Sequence, residues 1–488
     1  MKIVFINPAI NVGTNEIWAT ALQIDILDGM SFVPRLAPMI LAALTPKEYS
    51  FTYLDEDLGA IDLEKVDADL VALTGMTVQA NRAYQLAAYF RRKGCLVIMG
   101  GIHASSCPEE VALHVDVVCT GKAESYWQEV LSDATAGRLK KFYHDEDHPT
   151  MVTQPIPKFD VANHDRYSVF PIQATRGCPY NCEFCCIQVS SGNKYMKKPI
   201  SQVVAEIMEL EKHNHGPFKK RYHFMDDNLY VDKDYTVSLF KALAPLDITW
   251  MGMGSLNIAL DEETLDLIAA SGCRALGIGF ESISEESLKE AKANKKNAVS
   301  VDKYKVAAQN LIKRGIVPIG FFIFGFENDD GSCFKRTTDF IIENRIMIAY
   351  FSILTPFPKT VLYERMKDKI IDCNWSHYGS LKCVFQPTKL SPKELEAGTY
   401  QATLDVAKLA VVKKQLRYFW SHGPWERNPV LNLKERMILI ALALKLRKKK
   451  EFAQFLIWAA FQRRATDIYQ IISSGVYYNE TLRFGDLL

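Results

Sequence analysis

The stretch Phe170-Pro-Ile-Gln-Ala-Thr-Arg-Gly-Cys-Pro-Tyr-Asn-Cys-Glu-Phe-Cys185 decides how the rest of this chain is read. Its apolar first part reads as a short strand, and Arg-Gly-Cys-Pro as a tight turn. Cys178, Cys182 and Cys185 then stand at the spacing CxxxCxxC on the loop after that strand. A structural zinc site takes four protein ligands, and an ordinary [4Fe-4S] cluster takes four cysteines. Three thiolates at this spacing suggest a cluster with one iron left open to a substrate or cofactor. A redox pair at Cys182 and Cys185, or simply buried apolar thiols, are the competing readings, and the strand-then-loop setting argues against both. Cys186 is read as packing, because neighbours on a loop point different ways.

Working outward, the 488 residues are 48% hydrophobic and 24% charged, enough for two to four domains with substantial cores. The net charge of +1 gives no support for nucleic-acid binding, which needs a basic face to replace counterions. The 11 cysteines are an odd number without a dense framework, which argues against a secreted disulfide scaffold. Met1-Lys-Ile-Val-Phe-Ile-Asn-Pro8 breaks at a proline before a signal-peptide core can form, and no apolar run reaches the ~18 to 20 residues of a membrane span. A cytoplasmic, oxygen-poor location is expected, because an exposed iron is vulnerable to oxidation.

Residues 1–137 alternate short apolar strands with helical stretches, the rhythm of an open parallel α/β sheet of Rossmann-like type. Strands are expected at Lys2–Asn7, Phe51–Leu54, Leu70–Thr74, Leu96–Met99 and Val115–Cys119. Small and polar residues follow them: Asn7, then Thr74, Gly75 and Thr77, then Gly100, Gly101 and His103, then Gly121 and Glu124. Ligands of such sheets bind at the carboxyl ends of the strands, so these nine residues are candidate ligand contacts. They do not form the GxGxxG dinucleotide fingerprint. Residues 138–170, with His144-Asp-Glu-Asp-His148 and Gln154-Pro-Ile-Pro157, read as an irregular linker.

From 171 to 365 the alternation resumes, with strands expected at 171–175, 221–225, 248–253, 275–280, 316–324 and 349–354. Polar groups gather after them in His223-Phe-Met-Asp-Asp-Asn228, Gly252-Met-Gly-Ser-Leu-Asn257 and Gly277-Ile-Gly-Phe-Glu-Ser282. Residues 366–488 are expected to be mostly helical, and the tail is unusually basic. There Met437–Leu444 runs into Lys445-Leu-Arg-Lys-Lys-Lys450, and Phe455–Phe461 ends in Arg463-Arg464. Apolar helices flanked by cations suit peripheral attachment to anionic lipid at the inner face of the membrane, and equally a docked helical tail with solvated charges.

The cysteine triad with its flanks resembles the radical S-adenosylmethionine (SAM) superfamily, and the six βα units resemble that superfamily's partial (β/α)6 barrel. The resemblance implies a [4Fe-4S] cluster on Cys178, Cys182 and Cys185. It also implies SAM chelated at the open iron and cleaved to a 5′-deoxyadenosyl radical. Phe184 matches the aromatic position beside the adenine, Asp226 and Asp227 fall where the SAM amino group is held, and Ser255, Asn257 and Glu281 suit the ribose hydroxyls. A helix N-terminal charge is the plainer reading of Glu281. The first 137 residues resemble the cobalamin-binding domain that precedes the radical SAM core in one large subgroup, although no DxHxxG offers a histidine to cobalt.

Within that subgroup, the region from Phe321 to Leu395 resembles hopanoid methylases and the anaerobic magnesium-protoporphyrin ester cyclase group. The implied activity is a cobalamin-dependent C-methyltransferase acting on an unactivated carbon of a hydrophobic substrate, lipid or tetrapyrrole. A flavodoxin- or ferredoxin-like reductant is implied with it. An oxidative cyclase, or a non-catalytic cobalamin- or cluster-binding protein, are the alternatives.

Overall fold

The computed structural model describes residues 1–10, 33–145, 151–167, 169–213, 221–291 and 301–408, with isolated positions up to 422. Two six-stranded sheets, each wholly parallel, organise them. The first comprises β1 (Lys2–Asn7), β2 (Ser50–Asp55), β3 (Leu70–Thr74), β4 (Leu96–Gly100), β5 (Val117–Thr120) and β6 (Phe142–His144), in the order β2-β1-β3-β4-β5-β6. The runs Ile3–Asn7 and Leu70–Leu73 are buried at every residue, as expected of strands covered on both faces. The helix Ala80–Arg92 covers one face with Ala83, Leu86, Ala87 and Phe90, one stripe at helical spacing, and puts Arg91 and Arg92 at its carboxyl end.

Strand order reverses between β1 and β3, which makes the carboxyl ends of these two strands, Asn7 and Thr74, the topological switch point of the sheet. The five expected strands are all present. The segment read as an irregular linker differs from that expectation: it opens with β6, which pairs with β5 through Val118↔Phe142 and Thr120↔His144. Three residues are too few for periodicity to reveal. The rest of the connector is packed, not slack. Phe159 and Tyr167 are buried in the main core, the Lys158 amide donates to the Met39 carbonyl (2.9 Å), and the Tyr167 hydroxyl donates to Asp55 (2.8 Å). The stretch Glu146–His148 lies outside the described residues.

The second sheet comprises β7 (Phe170–Ile172), β10 (Arg221–Phe224), β11 (Thr249–Gly254), β12 (Cys273–Glu281), β13 (Val317–Phe324) and β14 (Ile348–Ile353), ordered β14-β13-β12-β11-β10-β7. Strand order follows chain order and no pairing joins β7 to β14 among the described residues, so this is an open partial barrel. A small antiparallel hairpin of β8 (Thr175–Arg176) and β9 (Met196–Lys197) branches off just before the cysteines.

Burial alternates along the last strands. Phe322, Phe324, Phe351 and Ile353 are buried under the outer helices, and Phe324 meets Phe334 of the helix Cys333–Glu343 edge-on at 4.9 Å. Their neighbours Phe321, Ile323, Tyr350 and Ser352 are half-buried and, by the two-residue period, line the opposite, inner face. Phe321 and Tyr350, register partners, stack at 5.4 Å.

Pro392–Ala407 forms a helix with a Ser391/Glu394 capping box that packs on β14 and on the helix Cys333–Glu343. Among the described residues no helix is long and apolar enough to cross a membrane. The apolar and basic stretches at 437–464 lie outside the described residues.

Candidate active site

The cysteine loop begins with a backbone only glycine fits. Gly177 has φ +87°, and a Cβ there would lie 2.0 Å from the Lys194 carbonyl oxygen. From this tight entry the chain turns back on itself, with the Cys185 amide donating to the Cys182 carbonyl (3.1 Å) and the Gln188 side chain holding the Tyr180 carbonyl (3.1 Å). Cys178, Cys182 and Cys185 are all half-buried. Burial pushes the thiols of Cys178 and Cys185 up, and that of Cys185 is raised further by its proximity to Cys186, Cys182 and Cys178. Three converging, partly buried thiols become thiolates only against a cation, so the donor set fits a soft metal centre. Cys186 shares the neighbourhood; its carbonyl accepts from the Val189 amide at the start of a short helix.

The carboxyl ends of β10 and β11 meet this loop. Asp226 is buried and spends its carboxylate on the loop's approach: Oδ2 accepts from the Ala174 amide (3.2 Å), and Oδ1 accepts from both the Thr175 amide and the Thr175 hydroxyl. Asp227 Oδ2 accepts from the Gly177 amide (2.7 Å). Both aspartates therefore brace the cysteine loop. Desolvation pushes the Asp226 carboxyl up to about 7 against the pull of those donors.

Asn228, which the sequence reading passed over, ties three elements together. Its Oδ1 accepts from the Tyr230 and Ser255 amides (both 3.1 Å), and its amide reaches Cys178 Sγ at 4.0 Å. Tyr180, inside the cysteine motif, lies beside Ser255 and Asn257. For Asn228, the third position of Asp226-Asp-Asn228 was the only signal in the sequence.

Glu281 ends β12, where the pairing with β13 shifts register between Gly279 and Glu281. Its φ is 61°, a left-handed conformation that costs a non-glycine residue about 1–3 kcal/mol. The side chain folds back over Gly279, where a Cβ would lie 2.2 Å from Oε1. Burial alone pushes its carboxyl up to about 7. The plainer reading, a helix N-terminal charge, does not hold, since the next helix starts only at Glu285 with Ser284 as its cap. Phe184 packs half-buried against the core beside the third cysteine.

At the edge of the first sheet the expected contacts divide. Asn7 donates to Asp55 (2.8 Å) and Asp57 (3.0 Å), and its Oδ1 accepts from Gln79. His103 is fully buried; it shares a hydrogen bond of 2.8 Å with the Tyr84 hydroxyl, and desolvation lowers it to about 4. Glu124 accepts from Arg176 (2.8 Å) and Gln154 (3.0 Å). Burial pushes the Glu124 carboxyl up, but the Arg176 charge outweighs it and holds the group below the usual range. All three side chains hydrogen-bond within the protein, and among the described residues His103 Nδ1 stays buried without a hydrogen-bond partner.

Thr74, Gly75, Gly100 and Gly101 form the β3 and β4 loops, with Gly101 at φ +92° so close that a Cβ would lie 2.8 Å from Thr74 Oγ1. Thr77 is buried behind them, and a Cβ on Gly121 would run into Asp145. Ligand atoms of His103, Cys107 and Glu110 come within 4.8 Å of one another. Tyr84 and the Trp375 indole already donate to Glu110 Oε1 (2.9 and 2.7 Å), so one oxygen of this group is engaged in hydrogen bonds.

Three half-buried thiols at the mouth of an open six-stranded barrel, set against the carboxyl edge of a 2-1-3-4-5-6 sheet, define a radical SAM enzyme with an N-terminal doubly wound domain. The chain belongs to the radical SAM superfamily, whose profile matches residues 172–341. It is 32% identical to the bacteriochlorophyllide d C-12(1)-methyltransferase of Chlorobaculum tepidum, over 81% of this chain and 87% of that one. Its identity to the C-8(2)-methyltransferase of the same organism is 30%, over 73% and 82%. The structure of the radical SAM methyltransferase TsrM from Kitasatospora setae, with cobalamin and a [4Fe-4S] cluster bound, superimposes with a TM-score of 0.63 at 14% identity, over 94% of this chain and 99% of that one.

Proposed function

We propose that the protein is a cobalamin-dependent radical SAM C-methyltransferase whose substrate is a hydrophobic molecule of tetrapyrrole type. The observation that carries the reading is the grouping of Cys178, Cys182 and Cys185 on one loop at the open barrel mouth, just after Arg176, which Glu124 of the first sheet's carboxyl edge holds. The likeness to two bacteriochlorophyllide methyltransferases over most of the chain supports the tetrapyrrole class. When bound, the cluster with SAM supplies one-electron hydrogen abstraction, and cobalamin supplies the methyl group.

The chain's own residues then divide the work. Cys178, Cys182 and Cys185 hold the cluster. Asp226, Asp227 and Asn228 fix the loop that presents it, through its backbone and through Ser255. Phe184 would lie against the nucleobase of SAM, and Ser255, Asn257 and Glu281 would hold its ribose hydroxyls. Thr74, Gly75, Thr77, Gly100, Gly101 and Gly121 shape the corrinoid edge, while Asn7 and His103 keep its loops in place. The stacked Phe321 and Tyr350 give the substrate a flat apolar wall, which excludes water from a reactive carbon centre. Electrons come from a flavodoxin- or ferredoxin-like donor.

The test is anaerobic. Protein reconstituted with iron, sulfide and cobalamin is given reductant, methyl-labelled SAM and a bacteriochlorophyllide. The expected products are 5′-deoxyadenosine, S-adenosylhomocysteine and labelled pigment. Deoxyadenosine with an oxidised, unlabelled pigment turns the reading to a cyclase-type reaction. Neither nucleoside from fully loaded protein overturns it.

A further inference from the structure

The loop after β5 reaches the β8–β9 hairpin, which leads into the cysteine loop, at two places. Glu124, in the loop after β5, accepts from Arg176 Nη1 at 2.8 Å, and both side chains are only 16% exposed. Two residues earlier, the buried Lys122 extends to Met196 Sδ (3.9 Å) on β9, the strand paired with Thr175 and Arg176. The rest of the Arg176 guanidinium is held by Gln173 Oε1, from Nε (3.2 Å) and Nη2 (2.9 Å), and Glu124 is held in turn by Gln154. Arg176 is thus fully oriented, two residues before Cys178 and one before the glycine that turns the chain into the motif.

We propose that Glu124 is a positioning residue for the cluster: by clamping Arg176 it makes the corrinoid-side loop of the first sheet part of the cluster's electrostatic surroundings. The inference rests on the assignment of Cys178, Cys182 and Cys185 as cluster ligands. The pair is neutral as a whole, so it holds the loop without adding net charge. Deleting either partner leaves one half-buried charge uncompensated beside the cluster, and cluster potentials follow net charge and surroundings. A lone Arg176 cation favours the reduced, more negative cluster; a lone Glu124 carboxylate disfavours it.

The experiment is an EPR-monitored redox titration of full-length protein reconstituted with iron and sulfide alone, without SAM, corrinoid or pigment. Glu124→Gln is expected to keep its iron and move the midpoint to more positive potential, Arg176→Gln to move it to more negative potential, and the double variant to lie nearer the wild type than either. If a single variant fails to assemble a cluster, recovery of iron in the double variant supports the pair, and failure of all three in folded protein overturns it. Midpoints unchanged in both single variants, or displaced in the same direction, also overturn it. A wild-type protein that assembles no cluster is a different result, the failure of the functional reading itself.

Discussion

The Gly177 amide donates to Asp227 Oδ2 across 2.7 Å, and this bond anchors the backbone at the residue before the first cluster cysteine. Gly177 tolerates no Cβ, because the Lys194 carbonyl occupies that space. Gly177→Ala should therefore deplete the cluster although no ligand is touched. After anaerobic reconstitution, iron and sulfide per chain should fall steeply for Gly177→Ala and to background for Ala at Cys178, Cys182 or Cys185. Cys186→Ala should keep the wild-type content, and its loss of iron would reassign the ligand set.

Glu281 makes cluster-free stability depend on pH. Its carboxyl is raised from 4.5 to about 7 by burial, so the native state keeps a proton that the unfolded chain has released. That contribution is complete below the unfolded value and is lost as pH rises through about 7, with an upper limit of about 3 kcal/mol. Urea unfolding of cluster-free protein at about pH 5.5 and about pH 8 should show wild type losing more stability over this interval than Glu281→Gln. Parallel changes in the two proteins would mean that the carboxylate is solvated in solution.

Lys198 and Glu206 form an ion pair at 2.7 Å with side chains 0% and 1% exposed. The Lys198 amide donates to the Ala174 carbonyl (2.8 Å), so the pair sits directly beneath the approach to the cysteines. Glu206→Ala leaves a buried ammonium unpaired and should cost about 3–5 kcal/mol, whereas Lys198→Met combined with Glu206→Leu should cost far less. Denaturation midpoints of the three proteins decide this. A double variant as unstable as the single one would show that the pair's geometry, not its charge balance, is what the loop needs.

How far the sequence could be read depended on the kind of signal. Buried strands write themselves as apolar runs, so the parallel sheets and the cysteine loop were visible in Leu70–Leu73, Val317–Phe324 and the CxxxCxxC spacing. β6 was not, since Phe142–His144 is short and alternates exposed, buried, exposed. At the site, the sequence pointed to residue types but not to their protein partners. That Glu124 meets Arg176 and Asp226 meets Thr175 was not legible, because contacts between positions some 50 apart leave no local pattern. Asn228 and the strained backbone of Glu281 likewise show themselves only once three strand ends are brought together.

Trp375 joins the segment after the barrel to the first sheet. Its indole Nε1 donates to Glu110 Oε1 (2.7 Å), the same oxygen that accepts from Tyr84, and its ring meets buried His103 edge-on at 5.4 Å. The neighbouring Asn374 and Ser376 both accept from Asn81. Trp375→Phe keeps the aromatic contact and removes only the donor to a carboxylate, a bond of about 1.5–3 kcal/mol. Glu110→Gln weakens the same bond from the other side. A double-mutant cycle by urea unfolding should therefore give losses that do not add, because both variants strike one interaction. Additive losses would mean that Trp375 holds the two regions together by packing alone, and Trp375→Phe would then be nearly silent.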